Sequence, residues 1–533
     1  MCRVLKEQKT KVVFGYPGGC VVDLFDALYE YKNTIKQIIT AHEQGAAHAA
    51  DGYARASGKC GVVIATSGPG ATNLVTGIAA AYMDSVPMVA ITGNVSVDDI
   101  GKDSFQEVYT EGIMMPVTKH TFVVRDINEL AKTLRSAFEI AQSGRCGPVL
   151  VDIPKNIFKQ SANYKQENPM PQKGFKTDIN KLKEAAEMIE NSQRPIVLCG
   201  GGVNKKDISE KLNIFINKLN LPCVHTLMAT GVVDLNSALN TGLCGMHGKI
   251  SANKALGEAD LILALGTRFG DRVVIKKNEF AKKAKVIHVD IDPSEINKNV
   301  GVDLSIESGC GEVLDLLLQM NLTAKTNLWL KEIQKFKEKD FKEDIKDFSP
   351  YAIINTINKF APKDTVYTTD VGQHQMWAAQ YISASSQSFL TSGGLGAMGY
   401  GYGAAIGAKI ARKKSPVIHI TSDGSFLMNL NETSTAVAYK TNIISIIFNN
   451  FGLGMVRQWQ DVLCGGRHSG SEEKKKIDYM SLAKGFGAKA FKCQNQQELK
   501  EALKAALKED SCVWIECAVD KEEKVLPMNS AEF

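Results

Sequence analysis

Short apolar runs alternate with helical patterns along most of the chain. The runs in the first third lie at residues 11–14, 61–66, 88–92 and 148–152, and residues 73–83 have the apolar spacing of a helix. Strands that alternate with helices are typical of a sheet whose strands are mainly parallel. The pattern therefore predicts an α/β fold with doubly wound sheets.

Two polar stretches divide this alternation into three parts. Residues 159–176 are rich in Asn, Gln, Pro and Lys and have almost no periodicity, which is typical of a linker. Residues 329–348 mix both charges, but Trp329, Ile333 and Phe336 recur at helical spacing, as in an amphipathic connecting helix. We therefore expect three domains, each with a mainly parallel sheet, at residues 1–160, 177–325 and 350–533.

Composition narrows the class of protein. The 533 residues are 44% hydrophobic, enough to bury several cores. The net charge of +5 comes without a block of like charges, which disfavours nucleic acid or an anionic membrane as a partner. No apolar run reaches the roughly 18 residues that a membrane-spanning helix needs, and the 12 cysteines form no CxxC pair or Cys/His cluster. We expect a cytoplasmic protein with reduced thiols and no zinc site.

The third part carries polar side chains at the ends of two successive predicted strands. The run at 416–420 opens onto Ser422-Asp423-Gly424-Ser425, and the run at 443–448 ends at Asn449-Asn450. An Asp-Gly pair alone is typical of an ordinary turn. Carboxylate and amide oxygens at one edge of a parallel sheet are also suited to Mg²⁺, a cation that proteins often share with phosphates. The Asn pair at the end of the second run favours the metal interpretation.

The first part carries one carboxylate at a predicted helix start. Glu43 lies within Ala41-His42-Glu43-Gln44-Gly45-Ala46, where a strand passes into a helix. An acid at this position is often only a favourable partner of the helix dipole, worth about 0.3–1 kcal/mol. Glu43 alone therefore indicates no chemistry.

Taken together, these motifs resemble those of the thiamine-diphosphate-dependent decarboxylase superfamily. Within it, the chain is most similar to the large catalytic subunits of acetolactate (acetohydroxyacid) synthases. The resemblance runs from residue 13 to about residue 528. The matching motifs, in chain order, include Phe14-Gly15-Tyr16-Pro17-Gly18-Gly19, His42-Glu43-Gln44, Ser67-Gly68-Pro69-Gly70, Phe105-Gln106-Glu107, Gly245-Met246-His247-Gly248, Asp370-Val371-Gly372-Gln373-His374, Ser422-Asp423-Gly424, Asn449-Asn450 and Gly454-Met455-Val456-Arg457-Gln458-Trp459.

The resemblance implies roles for particular residues. Glu43 would hydrogen-bond the aminopyrimidine of thiamine diphosphate and assist proton transfer there. Gly19, Gln106, Arg272 and Trp459 would line the reaction chamber, with Arg272 binding the carboxylate of the second keto acid. Mg²⁺ would be bound by Asp423, Asn450 and the carbonyl of Gly452. The residues expected to contact thiamine diphosphate are Pro17, Gly18, Glu43, Gly68, Asn73, Gln373, His374, Gly396, Met398, Gly424, Ser425, Asn450, Gly452, Leu453, Gly454 and Met455.

The middle part resembles the FAD-binding domain of the same family, in which the flavin has no net redox role. A Gly-rich turn after a strand is common and is weak evidence by itself. The residues expected to contact FAD are Gly200, Gly201, Gly202, Met246, His247, Gly248, Gly266, Thr267, Arg268, Asp290 and Asp292.

The activity that the resemblance implies is the joining of two 2-keto acids. Pyruvate would be decarboxylated and transferred to a second pyruvate, which yields 2-acetolactate, or to 2-ketobutyrate, which yields 2-aceto-2-hydroxybutyrate, in valine, leucine and isoleucine synthesis. A homodimer or homotetramer is a further expectation, because the family's cofactor lies between two chains. A small regulatory subunit is expected by analogy with the family.

Three other interpretations stay open. Another thiamine-diphosphate enzyme, such as a pyruvate oxidase, a 2-keto-acid decarboxylase or a catabolic acetolactate synthase, has related motifs. A flavin or nucleotide oxidoreductase would need a clean GxGxxG after a strand, and a non-catalytic relative would have no use for Glu43 and Asp423. Departures from the family pattern include Ser422, which replaces the first Gly of a GDG motif, and Gly270, which replaces the first Asp of an RFDDR motif.

Overall fold

Three six-stranded parallel sheets follow one another along the chain. The computed structural model describes residues 1–169, 174–340, 348–472 and 477–528. Every pair of neighbouring strands within a sheet is parallel. The expectation of three doubly wound, mainly parallel sheets is therefore confirmed.

The first sheet has the strand order β2-β1-β3-β4-β6-β5. Its central strands are buried on both faces, which explains why they form continuous apolar runs. The strands are β1 (Val12–Gly15), β2 (Lys36–Ile39), β3 (Gly61–Ala65), β4 (Met88–Asn94), β5 (His120–Val123) and β6 (Pro148–Pro154). The helices are α1 (Cys2–Glu7), α2 (Val22–Glu30), α3 (Glu43–Ser57), α4 (Pro69–Asn73), α5 (Val75–Met83), α6 (Thr110–Met114), α7 (Ile127–Gln142) and α8 (Lys155–Phe158).

The second sheet has the strand order β12-β11-β10-β7-β8-β9. Its strands are β7 (Pro195–Cys199), β8 (Cys223–His225), β9 (Asn240–Leu243), β10 (Leu261–Leu265), β11 (Lys285–Asp290) and β12 (Leu304–Glu307). The helices are α9 (Ile179–Asn191), α10 (Lys206–Leu219), α11 (Ile250–Glu258), α12 (Cys310–Gln319) and α13 (Asn327–Lys337). The predicted connecting helix is α13, which buries Trp329 and Ile333 against this domain. Of the residues that this prediction assigned to the connecting helix, 341–347 lie outside the described ranges.

The third sheet has the strand order β14-β13-β15-β16-β18-β17. Its strands are β13 (Val366–Thr369), β14 (Phe389–Thr391), β15 (Val417–Ser422), β16 (Ile444–Asn449), β17 (Lys489–Cys493) and β18 (Val513–Ala518). The helices are α14 (Pro350–Phe360), α15 (Gln373–Tyr381), α16 (Tyr400–Ala411), α17 (Asp423–Asn429), α18 (Glu432–Ala438), α19 (Gly454–Leu463), α20 (Tyr479–Phe486) and α21 (Gln496–Ala506). Within the described ranges, no helix combines the length and apolar character needed to span a bilayer.

Each sheet reverses its strand order beside its first strand. The chain passes from β1 to β2 on one side and returns to β3 on the other, and β7 and β13 are flanked in the same way. Ligands of open parallel sheets bind at this point, outside the carboxyl ends of the two diverging strands. The fold thus provides three crevices, and the predicted site residues are distributed among them.

The first and third domains are joined by a close crossing of α3 and α16. Gly52 and Gly407 lie in this contact, and a Cβ on either would overlap a backbone carbonyl, of Ala404 and Ala49 respectively. Small residues allow the two helix backbones to approach each other. The crossing fixes the start of α3, which carries Glu43, relative to the third sheet.

Adding one methyl group to this crossing should destabilise the protein. We expect Gly407→Ala to lower the thermal unfolding midpoint, because overpacking typically costs about 1–3 kcal/mol. The matched control is Gly485→Ala in α20, where a Cβ has no atom within 4 Å and Ala should gain about 0.5–1 kcal/mol. Calorimetry of both variants checks the prediction, and a midpoint raised in Gly407→Ala would contradict it.

Candidate active site

The carboxyl edge of the third sheet brings Asp423 and Asn450 together. The strands that precede them, β15 and β16, are neighbours, with Ser422 opposite Phe448. The backbone N–H of Gly452 donates to Asp423 Oδ2 at 3.0 Å. Asn450 Oδ1 is buried, and no residue that the structure describes donates a hydrogen bond to it. An amide oxygen and a carboxylate at this spacing fit a hard cation such as Mg²⁺.

Two helices begin beside this pair of oxygen ligands. Gln373 and His374 open α15, and Gly454 and Met455 open α19. The amide N–H groups of a helix N-terminus favour a phosphate or another anion. Burial lowers the pKa of His374 to about 4, so its ring is neutral at pH 7, and its Nε2 has no hydrogen-bond partner among the described residues. The edge therefore offers donors to a diphosphate next to acceptors for its cation.

The remaining predicted cofactor residues of the third domain surround this edge. A Cβ at Gly424 would lie 2.8 Å from Leu453 Cδ2 and 3.9 Å from Met398 Cε, so Met398 and Leu453 crowd the same point. The hydroxyl of Ser425, which is fully buried, donates to the carbonyl of Val371 at 3.0 Å. Gly396 is exposed, two residues before Met398.

The first sheet places a second group of predicted residues at its own crevice. Glu43 is the first residue of α3 and is only 9% exposed. Asn73 Nδ2 donates to Glu43 Oε2 at 3.0 Å, and the position of a Cβ at Gly70 lies 3.2 Å from Glu43 Oε1. Asn73 thus holds one carboxylate oxygen, and the missing side chain of Gly70 leaves space beside the other.

The loops after β1 and β3 complete this first-domain group. A Cβ at Gly68 would lie 2.8 Å from the carbonyl of Gln106, so Gly68 and Gln106 are in contact. A Cβ at Gly18 would collide with Thr66, and Thr66 Oγ1 accepts the N–H of Cys20 at 3.2 Å. Pro17 and Gly19 are exposed on the same loop.

Glu432 contributes to the candidate site but was not predicted from the sequence. Glu432, at the start of α18, accepts the backbone N–H groups of Ala41 at 3.1 Å and His42 at 3.0 Å. It is fully buried, and burial raises the pKa of its carboxyl. A residue of the third domain therefore holds the loop that carries Glu43. No local pattern could reveal this, because the partners lie 390 positions apart along the chain.

The second sheet places most of the predicted FAD residues at its crevice between β7 and β10. The N–H of Gly202 donates to the carbonyl of Gly266 at 3.0 Å, which brings the two glycine turns together. Burial raises the pKa of Asp290, at the end of β11, to about 6. Asp292 instead caps the next turn and lies 3.2 Å from Arg145 of the first domain.

A cavity of about 2800 Å³ lies between the three domains, and the first domain lines it with residues such as Arg55, Asp84 and Arg145. Gly372, Gly396, Met398, Met455 and Trp459 line it from the third domain. From the second domain it is lined by Gly201, Gly202, Met246, His247, Gly266, Thr267, Arg268, Arg272 and Asp290, whereas Gly200, Gly248 and Asp292 are not among its lining residues.

The first-domain group does not line this cavity. Its lining includes neither Glu43, Gly19 and Gln106 nor Pro17, Gly18, Gly68 and Asn73. Arg272 is exposed at the cavity, with its Nη1 3.2 Å from Met246 Sδ. Asp423, Asn450 and Gly452 are not among the cavity's lining residues either, whereas Gly372, Met398 and Met455 of the same domain are.

Comparison with known proteins gives the family. Models of thiamine pyrophosphate enzymes match three segments: the N-terminal TPP-binding domain at residues 1–113, the central domain at 182–317 and the C-terminal TPP-binding domain at 370–517. The acetolactate synthase large subunit of Porphyra purpurea is 41% identical over 97% of this chain and 90% of its own length. That of Lactococcus lactis is 40% identical over 99% of this chain and 93% of its own.

The chain belongs to the acetolactate synthase large subunit family. A further relative of this family, from Methanocaldococcus jannaschii, is 42% identical over 99% of this chain and 92% of its own length. The resemblance stated from the motifs is thereby confirmed. In this family of thiamine pyrophosphate enzymes, the matched TPP-binding domains include the edge that carries Asp423 and the crevice that carries Glu43.

Proposed function

We propose that this protein is an acetolactate synthase, a transferase that uses thiamine diphosphate and Mg²⁺ to decarboxylate pyruvate and to join the remaining two carbons to a second 2-keto acid. The observation that carries the proposal is the edge of the third sheet. There Oδ1 of Asn450 and Nε2 of His374 are buried and have no partner among the described residues, beside Asp423 and two helix N-termini. These groups suit a cation and a diphosphate bound together.

Asp423, Asn450 and the carbonyl of Gly452 are the proposed ligands of Mg²⁺. Asp423 supplies negative charge, and its second oxygen is already oriented by the N–H of Gly452. Backbone N–H groups at the starts of α15 and α19 would bind the diphosphate oxygens. Met398 and Leu453 would support the organic part of the cofactor.

Glu43 is the proposed proton-transfer residue. When bound, thiamine diphosphate supplies a carbon nucleophile that accepts the electron pair released as CO₂ leaves pyruvate. Glu43 would share a proton with the aminopyrimidine through Oε1, because Asn73 already holds Oε2. The buried site excludes water from this proton, and a positioned acid or base of this kind contributes about 10²–10⁴-fold to rate.

The second keto acid would bind at the mouth of the cavity. Arg272 presents an exposed guanidinium there, 66% accessible, which is suited to a carboxylate. Trp459 lines the same cavity and would select between pyruvate and 2-ketobutyrate as acceptor. Gly19 and Gln106 would approach from the first domain. The products would be 2-acetolactate and 2-aceto-2-hydroxybutyrate, the precursors of valine, leucine and isoleucine.

A second copy of the chain is needed to complete this site. The first-domain group does not line the cavity that Met398, Met455 and Trp459 line in the same chain, and exposed apolar side chains occur in both domains, Val22 (58%) and Phe105 (88%) in the first, Met428 (58%) and Phe451 (54%) in the third. Apolar patches of this kind mark interaction surfaces. A two-fold pairing would bring each Glu43 to the other chain's Asp423. We therefore propose a homodimer or homotetramer in the cytoplasm, with a small regulatory subunit as a further partner.

FAD is proposed to bind in the second-sheet crevice without a redox role. The glycine turns at Gly201 and Gly266 allow a ligand to approach the backbone, and Asp290 ends β11, the neighbour of β10, at the same carboxyl edge of the sheet. The domain boundaries proposed with this assignment are 1–160 for the pyrimidine-binding domain, 177–325 for the FAD-binding domain and 350–533 for the diphosphate-binding domain.

The activity is tested by product analysis. Purified protein with pyruvate, Mg²⁺ and thiamine diphosphate should form acetolactate, and Glu43→Gln should reduce this rate by about 100-fold or more, because the amide cannot exchange a proton. Bound cofactor, measured by calorimetry, is the control for folding. Acetaldehyde or acetyl phosphate as the main product would point to a different enzyme of the superfamily, and unchanged activity in the variant would exclude the proposed role.

FAD binding is tested at Asp290. We expect Asp290→Asn to weaken FAD by about tenfold or more, since hydrogen bonds to charged groups are worth about 1.5–3 kcal/mol. Because the carboxyl has a pKa of about 6, wild-type affinity should fall as the pH drops below about 6 and the charge is lost. The control is Asp303→Asn: Asp303 precedes β12 and accepts the N–H of Val286 at the start of β11. Fluorescence titration with FAD would reject the assignment if both variants bound alike.

The shared site is tested by complementation. Glu43→Gln and Asp423→Ala should each be inactive, the second because it cannot hold Mg²⁺ and the diphosphate. When the two proteins are unfolded, mixed and refolded together, part of the wild-type activity should return, since a mixed dimer has one site free of both changes. Tagged subunits establish that mixed oligomers form, and mixed oligomers without activity would place each site within one chain.

A further inference from the structure

A series of three buried amide side chains runs from the proposed metal ligand Asn450 to the backbone of residues 523–525. Asn450 Nδ2 donates to Gln373 Oε1 at 3.2 Å. Gln373 Nε2 donates to Gln458 Oε1 at 3.0 Å and to the carbonyl of Glu523 at 2.9 Å. Gln458 then makes two bonds of 2.9 Å with the backbone of Val525. We refer to Asn450, Gln373 and Gln458 as the amide relay.

The backbone of Val525 fixes which way each amide of the relay points. Its carbonyl can only accept, so Gln458 Nε2 faces it, and its N–H can only donate, so Gln458 Oε1 faces that. Gln458 Oε1 therefore accepts from Gln373 Nε2, and the carbonyl of Glu523 requires the same orientation of Gln373. Gln373 Oε1 is then left to accept from Asn450.

This arrangement determines which way the side-chain oxygen of Asn450 points. Because its Nδ2 is bonded to Gln373, its Oδ1 points the other way and has no partner among the described residues. A cation binds the oxygen of an amide and is repelled by its N–H groups. A flipped Asn450 would present the wrong atom to Mg²⁺.

Gln373 has no side-chain N–H left for a phosphate. Both hydrogens of its Nε2 are used, one on Gln458 and one on Glu523, and the side chain is buried. Its contact with the diphosphate is therefore restricted to its backbone N–H at the start of α15. The side chain of Gln373 is therefore not a direct ligand of the diphosphate.

We infer that Gln373 is a positioning residue which, together with Gln458 and the backbone of residues 523–525, orients Asn450 so that Oδ1 faces the cation. The inference rests on the proposed function, which supplies the cation. Partners of metal ligands act in this way in other metal sites, and their loss commonly costs about 10–100-fold in metal affinity.

The test measures Mg²⁺ binding by calorimetry, in the full chain with saturating thiamine diphosphate. Gln373→Met, which is similar in size, should raise the Mg²⁺ dissociation constant by about 10–100-fold. Gln458→Met should raise it less, because Glu523 still holds Gln373. The matched control is Gln380→Met on the same helix α15. Gln380 is also buried and donates to His247 and Leu526 carbonyls, but it has no bond to the relay, so its variant should bind Mg²⁺ as the wild type does.

A second background separates orientation from direct contact and from general stability. Asn450→Asp has two equivalent oxygens and needs no orientation. In that background, Gln373→Met should leave Mg²⁺ affinity unchanged or increase it, since it removes an oxygen that faces the carboxylate. Equal weakening in both backgrounds would show that Gln373 binds the cofactor directly and would overturn the inference.

Two further outcomes are distinguished by the same titrations. If Gln373→Met lowers only the thermal midpoint of the metal-free protein and leaves Mg²⁺ affinity unchanged, the relay is structural and the inference fails. If the wild-type protein binds no Mg²⁺ in the presence of thiamine diphosphate, the proposed function itself fails, and the inference falls with it.

Discussion

The close crossing of α3 and α16 is the constraint on which the rest of the structure depends. It joins the first and third domains through glycine and alanine backbones, and it is reinforced by a buried charge network. Arg55, on α3, lies 2.7 Å from Asp51 and 2.9 Å from Asp84, and the hydroxyl of Tyr400, on α16, donates to Asp51 at 2.6 Å. Removing one partner of a buried ion pair leaves an uncompensated charge and typically costs about 3–5 kcal/mol. The two domains are therefore fixed to each other as one unit.

Through this unit, each domain holds the other's functional loops. Asp84 of the first domain accepts the N–H groups of Gly393 and Gly394 at 3.0 and 2.7 Å, just before the segment that carries Met398. Glu432 of the third domain holds the loop before Glu43. Both acids are buried and lie outside every motif used to predict the site. A site that must keep its geometry gains precision when its loops are bonded to a rigid neighbour rather than to solvent.

The sequence was most informative where burial on both faces leaves a continuous apolar run. The predicted runs correspond to β1, β3, β4, β6, β15 and β16, each with a buried pattern and bounds shifted by a few residues at most. The edge strands β5 and β17 were not predicted, because half-exposed strands such as His120–Val123 and Lys489–Cys493 carry polar residues and lack a clear period. Motif spacing placed Asp423 and Asn450 correctly at one edge, since sheet topology converts sequence order into proximity. It could not find Glu432, Asp84 or Gln458, whose partners are distant in sequence.

The departures from the family pattern at Ser422 and Gly270 lie where the backbone conformation does not require a particular residue. Ser422 has φ −121° and ψ 168°, an extended conformation that any residue adopts, so a glycine is not required there. Position 424, two residues later, favours glycine, because a Cβ there would lie only 2.8 Å from Leu453 Cδ2. Gly270 is exposed, and a Cβ there would meet no atom within 4 Å, so the absent Asp removes a charge at the cavity without changing the packing. The chain thus keeps glycine at 424, where a side chain would press on Leu453 beside the proposed diphosphate site, and varies at 422 and 270, where only a side chain is exchanged.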